Sequence, residues 1–235
     1  MEGQLIEQTR MRAAIARRMV ESKQQAPHFY VQTEVAMDGV RDRLAALNAR
    51  GGTHATVTVA LVRACVEALR RNPKLNSVWT PEGLLQASAV NVGIAIALDD
   101  GLVAPALLAA HELDLEATAT ALRDLVERAR GQRLRPAELM DATFTLSNLG
   151  MFAVSAFTAI VTPPQVAILA IGQSVERWVL EDGQPVRRSV LTATLSADHR
   201  ALDGGDAAKF LESFKQAIED SETLLPEPEP KEAMS

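Results

Sequence analysis

The 235-residue chain has 47% hydrophobic and 23% charged residues, an ordinary mixture for a globular protein with room for a substantial core. Its formal net charge of -6 excludes the basic footprint that nucleic-acid binding needs. A single cysteine, Cys65, excludes an internal disulfide framework, and with no run of 18 apolar residues and no signal-peptide core a reducing, cytoplasmic, bacterial setting off the membrane is expected.

Residues 1–8 read as a short polar lead. Met11, Ile15 and Met19 recur at i, i+4 and i+8 with arginines on their flanks, which predicts a helix over 9–25 that Pro27 ends. In "HFYVQTEVAM" (28–37), Phe29, Val31, Thr33, Val35 and Met37 alternate with Tyr30, Gln32 and Glu34, the pattern of a half-buried strand. A helix is expected over 38–49, a break at Gly51-Gly52, and a very apolar, buried helix over 56–71 that carries Cys65. Strand material follows over 85–98, then a turn at Asp99-Asp100-Gly101. Leu115, Ala119, Leu122 and Val126 mark the inner face of a helix over 114–130. Strands are expected at 142–147, 165–171 and 174–180, a turn at Glu181-Asp182-Gly183, and a further strand over 186–197. A last helix over 203–220 carries one apolar stripe, Ala207, Phe210, Leu211, Phe214 and Ile218. The Pro/Glu-rich tail, 226–235, is expected to fray. Strands that do not alternate strictly with helices predict an α/β two-layer sandwich with one mixed sheet.

The generic motifs are missing. There is no G-x-x-x-x-G-K-S/T loop, no G-x-G-x-x-G, no H-E-x-x-H and no G-x-S-x-G, and the histidines at 28, 54, 111 and 199 are far apart in sequence. No metal is expected. What stands out is "SADHRALDGG" (196–205), where His199 falls between a predicted strand and a predicted helix. A histidine there can aim its ring into a cleft while its backbone is anchored, Asp203 is placed to cap the helix, and Gly204 and Gly205 allow a tight turn and keep bulk away from the site. A loop histidine beside an ordinary N-cap fits the spacing equally well.

His199-Arg200-Ala201-Leu202-Asp203-Gly204 matches the H-x-x-x-D-G signature of coenzyme A-dependent acyltransferases. Four ordered blocks narrow the match: "IARRMVESKQQAPHFYVQTEV" (15–35), "NVGIAIALDDGLVAPAL" (91–107), "TFTLSNLGMFAVSAFTAIVTPPQVAILAIG" (143–172) and "SADHRALDGGDAAKFL" (196–211). Over residues 7–225 the chain resembles the catalytic domain of the dihydrolipoyl acyltransferase component of 2-oxo acid dehydrogenase complexes, within the chloramphenicol acetyltransferase-like superfamily. The resemblance implies that residues 9–225 form the catalytic domain. It also implies that His199 is the general base, that Asp203 is the motif aspartate, and that Ser147, in "TLSN", is the oxyanion-binding hydroxyl. On the residues alone, Ser147-Asn148 reads as a strand-ending polar pair. His28 is read as structural, and Arg17 and Arg18 are equal candidates to buttress Asp203.

The implied reaction moves an acyl group, acetyl by the likeness of "DHRALDGGDAAKFL" to pyruvate-type members, between dihydrolipoamide and coenzyme A. Coenzyme A is then a substrate whose contact residues the sequence does not name. No Asp-Lys dipeptide of the kind that carries lipoate is present, so lipoate is expected from another domain or chain. The resemblance implies a homotrimer with the site between subunits, leaves a larger cubic cage open, and makes a lipoyl domain the substrate. Other components of the complex are expected to bind only through domains absent from this chain. Two other readings stand beside this one: a stand-alone coenzyme A-dependent acyltransferase acting on a hydroxyl or amine, and an inactive core-forming scaffold.

Overall fold

In the computed structural model, α1 (Arg10–Gln25) starts where Thr9 caps it, Oγ1 accepting from Arg12 N at 3.1 Å, and stops ahead of Pro27. The model describes residues 3–4, 7–51, 54–98 and 101–227. The Gly51-Gly52 break, the turn at 99–101, the lead over 1–8 and the tail over 226–235 lie wholly or partly outside the described residues. β1 (His28–Ala36) shows the expected alternation of burial. Next come α2 (Asp38–Ala49) and α3 (Val57–Arg71), which buries Leu61, Val62, Cys65 and Leu69. Burial pushes the Cys65 thiol up, which leaves it inert.

β2 (Ser77–Thr80) and β3 (Gly83–Gln86) form a hairpin, followed by β4 (Val92–Ile94), β5 (Ile96–Leu98), β6 (Gly101–Val103) and β7 (Ala106–Leu107). The strand expected over 85–98 is thus divided among three sheets, β3 with β2, β4 in the main sheet and β5 with β6. Asn76 Nδ2 donates to Ala87 O and Ala89 O at 3.2 and 3.0 Å and draws the chain out of the first hairpin. Ala95 N donates to Leu146 O across the gap between β4 and β5. An unbroken apolar run gives no sign that its hydrogen-bond partners change.

The order closes with α4 (Leu115–Arg130), α5 (Pro136–Met140), β8 (Phe144–Asn148), β9 (Ala167–Ile171), β10 (Val175–Glu181), β11 (Gln184–Asp198), α6 (Gly204–Glu219) and α7 (Ser221–Leu224). The inner face of α4 is turned from the expected one: Thr118, Ala119, Leu122, Leu125 and Ala129 are buried, and Leu115 and Val126 only half-buried. Asp182 and Gly183 take positive φ, 49° and 77°, in the two-residue turn between β10 and β11, as the right-handed twist of a hairpin requires.

A seven-stranded mixed sheet runs β1-β11-β9-β8-β4-β7, with β10 on β11. β8 lies parallel to β4 and β9, and the remaining pairs are antiparallel. Helices α3 and α6 pack together and cover one face of this sheet. All five stripe residues of α6 are buried there, and Phe210 meets Phe144 with ring centroids 5.3 Å apart. The two-layer mixed-sheet architecture read from the sequence is the observed one. Among the described residues no helix is long and apolar enough to cross a membrane, and no cluster of His, Cys, Asp and Glu could hold a metal ion.

One ionic junction ties α4 to α5. Glu138, 1% exposed, accepts from Arg135 N and Nε, each at 2.8 Å, and from Arg128 Nη1 at 2.5 Å. Burial alone would raise its carboxyl, but the hydrogen bonds from Arg128 and Arg135 outweigh that and hold it at about 2. A carboxyl held below its unfolded value stabilises the fold fully above the unfolded pKa, 4.5, and loses that contribution as pH falls toward 2. Glu138→Gln should therefore cost about 2 kcal/mol at pH 7, the worth of hydrogen bonds to a charged group. In urea titrations the gap to wild type should narrow as pH is lowered from 5 to 3; a gap that stays constant would refute this account.

Candidate active site

The turn that carries His199 is pinned before and behind. β11 lies between β1 and β9, with Ala197 opposite Phe29 on one side and Ala167 on the other. The pairing runs one residue past the strand, since His199 N donates to Pro27 O at 2.9 Å. Ala201 N and Leu202 N then both donate to Asp198 O at 3.0 Å, and the buried Leu202 plugs the turn into the core. Asp203 caps α6, its Oδ1 accepting from Asp206 N at 2.9 Å while Asp206 returns a bond to Asp203 N. The His199 ring is exposed and packs on Phe29, centroids 4.6 Å apart. An exposed imidazole on an anchored backbone can exchange a proton with a group brought to it from outside.

The glycines do only part of what the spacing promised. Gly204 and Gly205 open α6 without positive φ, and a Cβ on Gly204 would meet open space. A Cβ on Gly205 would approach Asp203 Oδ1 at 3.2 Å, so this glycine clears room for the capping carboxylate instead of tightening a turn.

Neither Arg17 nor Arg18 pairs with Asp203 within the chain. Arg18 Nη2 donates to Pro163 O at 2.7 Å, and the side-chain bond of Asp203 runs to Asp206. The acid that an arginine does hold is Asp198, whose side chain is 2% exposed and accepts from Arg200 Nη2 at 2.6 Å and from Arg200 Nε at 3.1 Å. The same guanidinium lies 4.7 Å from the centre of the Trp79 ring. Sequence reasoning passed over Asp198, Arg200 and Trp79. The opposite charges at i and i+2 in "DHR" could have revealed the first two, but nothing in the sequence points to Trp79.

His28 is fully committed. Its Nδ1 lies 2.7 Å from Ala26 O, which can only accept, and its Nε2 accepts from Val161 N at 3.0 Å. Both ring nitrogens are occupied by backbone, so His28 staples 161 to the start of β1 and has none left for proton transfer. Ser22 Oγ donates to Val161 O at 2.5 Å beside it. Ser147 is the next-to-last residue of β8, half-buried, with Ala170 opposite it on β9.

Ser147 and His199 cannot serve one substrate within one chain. Ser147, Ala170, Thr194 and Gln32 stand in a row across the sheet, so their side chains share a face, as the 2.9 Å bond from Gln32 Nε2 to Thr194 Oγ1 shows. Phe29 and Ala197 point to the opposite face, and His199 continues that alternation onto Phe29. With strands about 4.8 Å apart and about 3.3 Å per residue, two strands across and five residues along place the two positions about 19 Å apart.

The profile of the 2-oxoacid dehydrogenases acyltransferase (catalytic domain) family matches residues 2–226. Among curated proteins, the dihydrolipoyllysine-residue acetyltransferase component of the pyruvate dehydrogenase complex of Zymomonas mobilis is 38% identical over 218 residues, covering 91% of this chain and 49% of that protein. The chain thus spans about half the length of this relative. Among solved structures, the cubic core of the pyruvate dehydrogenase multienzyme complex superposes with a TM-score of 0.90 at 30% identity, over 95% of this chain and 94% of that one. A chloramphenicol acetyltransferase superposes with a TM-score of 0.60 at 14% identity, over 92% of this chain and 99% of that one, a likeness of fold alone.

Past Ser147 the chain folds back over Gly172. Leu149 N donates to Ile171 O and Gln173 N to Val154 O, and a Cβ on Gly172 would lie 2.0 Å from Ser155 O. Only glycine fits under this backbone. Gly172→Ala should destabilise the protein by about 1–3 kcal/mol through overpacking. In thermal unfolding followed by circular dichroism, that appears as a Tm lower by roughly 3–10 °C for a chain of this size. An unchanged Tm would show that the close approach carries no constraint.

Proposed function

The chain belongs to the acyltransferase catalytic-domain family of 2-oxoacid dehydrogenases, and from that premise we propose that it moves an acyl group, acetyl by preference, between the sulfur of dihydrolipoamide and that of coenzyme A. One observation carries the reading furthest: His199 stands exposed on a pinned turn, while Ser147 lies two strands across on the opposite face of the sheet, about 19 Å away by ideal strand spacing. Such a pair is complete only when one copy's His199 meets another copy's Ser147. A cyclic trimer supplies three such sites, in channels open at both ends to two long, thin substrates. The solved cubic core with which the chain superposes supports assembly of trimers into a larger cage.

In this reading residues 9–225 are the catalytic domain, and a lipoyl domain from another domain or chain presents its arm as substrate. A thiol with an ordinary pKa near about 8.5 is only partly ionised at neutral pH, so a positioned base speeds its attack. The unprotonated His199 imidazole takes the thiol proton, the thiolate attacks the thioester carbonyl, and negative charge develops on its oxygen. Ser147 Oγ donates to that oxygen, and losing one such donor costs on the order of 3 kcal/mol in activation free energy. The leaving sulfur then recovers the proton from His199. Asp203 acts at a distance, by capping α6 and fixing the turn. Exchange of one thioester for another is nearly balanced, so the reaction runs both ways.

The test is transfer between acyl-coenzyme A and free dihydrolipoamide, followed as thioester formation, with acetyl- and succinyl-coenzyme A compared. Acetyl transfer is expected to dominate. His199→Ala should lose about 10²–10⁴-fold in kcat and Ser147→Ala about 10²–10³-fold. When the two variants are co-expressed and assemble at random, about a quarter of the interfaces pair an intact His199 with an intact Ser147, and activity should return to about a quarter of wild type. Activity that stays at the average of the two variants would refute the shared site. Transfer to a hydroxyl or amine but not to dihydrolipoamide would favour a stand-alone acyltransferase, and no transfer at all would favour the scaffold.

A further inference from the structure

We propose that Asp198, Arg200 and Trp79 form a clasp that positions His199, making Asp198 and Arg200 positioning residues for the transfer reaction; this rests on the reading of His199 as the base. Strand alternation sends the Asp198 and His199 side chains to opposite faces, so the carboxylate is buried while the imidazole stays exposed. A carboxylate buried to 2% exposure needs a paired charge, and the Arg200 fork supplies it from Nε, 3.1 Å from both oxygens, and Nη2, 2.6 Å from Oδ2. Arg200 N adds a fourth bond to Oδ1 at 3.0 Å. The guanidinium lies over the ring of Trp79, itself tethered by the 2.7 Å bond from Trp79 N to Pro164 O and by the bridge between Val78 and Gln165.

The residues on either side of His199 are therefore gripped together, and the grip is fastened to the β2–β3 hairpin and to the 161–165 segment. The exposed His199 ring rests on Phe29 alone among the aromatic rings of the described residues, so its aim depends on where the clasp holds its backbone. A displacement of about 1 Å at a reacting group can cost on the order of 10²-fold in rate. The polar clasp thus serves the base without touching either substrate.

The experiment uses the full chain with Arg200→Gln, Trp79→Leu, the double variant, Arg200→Lys and His199→Ala. Each is assayed for kcat and for KM of acetyl-coenzyme A and dihydrolipoamide, with the folded fraction at assay temperature read by circular dichroism. Arg200→Gln should lower kcat about 10–100-fold with both KM values within about threefold and the folded fraction intact. Arg200→Lys, which keeps the charge but loses the planar fork, should lose at least about fivefold and serves if Arg200→Gln folds poorly. The double variant should be no worse than Arg200→Gln, because both changes break one device. A kcat for both Arg200 variants within twofold of wild type would overturn the clasp. So would losses that only track the folded fraction, or losses that simply multiply in the double variant. His199→Ala with undiminished transfer would overturn the base itself, whereas His199→Ala inactive beside unimpaired Arg200 variants would sink the clasp alone.

Discussion

The pairing of β11 between its neighbours is the constraint on which everything else hangs. Its first half holds β10 and its second half is hydrogen-bonded on both sides, to β1 and β9, with Thr194 and Ser196 wholly buried. A strand bonded along both edges cannot slip by one residue without turning every side chain to the wrong face. His199 comes directly after that strand and is held to Pro27, so its position is inherited from a register that the whole sheet enforces. A flexible loop could not place a reactive imidazole in this way.

The same register separates the two residues that the proposed acyl transfer would use. Parity of pairing places Ser147 on the face of Thr194 and His199 on the face of Phe29. Rotating either side chain cannot bridge two faces of one sheet. In the proposed reading each chain therefore carries two half-sites, and the reaction needs a second copy to bring complementary halves together. In this reading assembly is part of the catalytic machinery, because no single chain presents both the base and the oxyanion donor to one thioester.

Around the candidate site most polar side chains are spent on scaffolding. Arg18, Ser22 and His28 hold the backbone of 161–163 against α1 and β1, while Asp203 and Asp206 cap α6 reciprocally. These bonds leave backbone groups satisfied where the chain is neither helix nor strand. His28 shows how a histidine near such a site is withdrawn from chemistry: a carbonyl on one nitrogen and an N–H on the other leave no lone pair free.

By itself the sequence determined what depends on neighbours along the chain. Periodicity marked α1, β1 and α6, and composition α2 and α3, nearly to the residue, and the Asp182-Gly183 turn was legible because few residues accept positive φ. The ordered motifs identified the family and pointed to His199, Asp203 and Ser147, and Asp203 does cap α6. What only the tertiary structure decided depends on residues far apart in the chain. The division of 85–98 among three sheets follows from hydrogen-bond partners, which hydrophobicity does not encode. The turned face of α4 follows from what packs against it, and the true task of Gly205 from the carboxylate beside it. Trp79 and Arg200 meet although 121 positions separate them, and Ser147 and His199 fall on opposite faces by counting residues across three strands. Local sequence sets backbone preference and side-chain period, but register and long-range contact are properties of the assembled sheet.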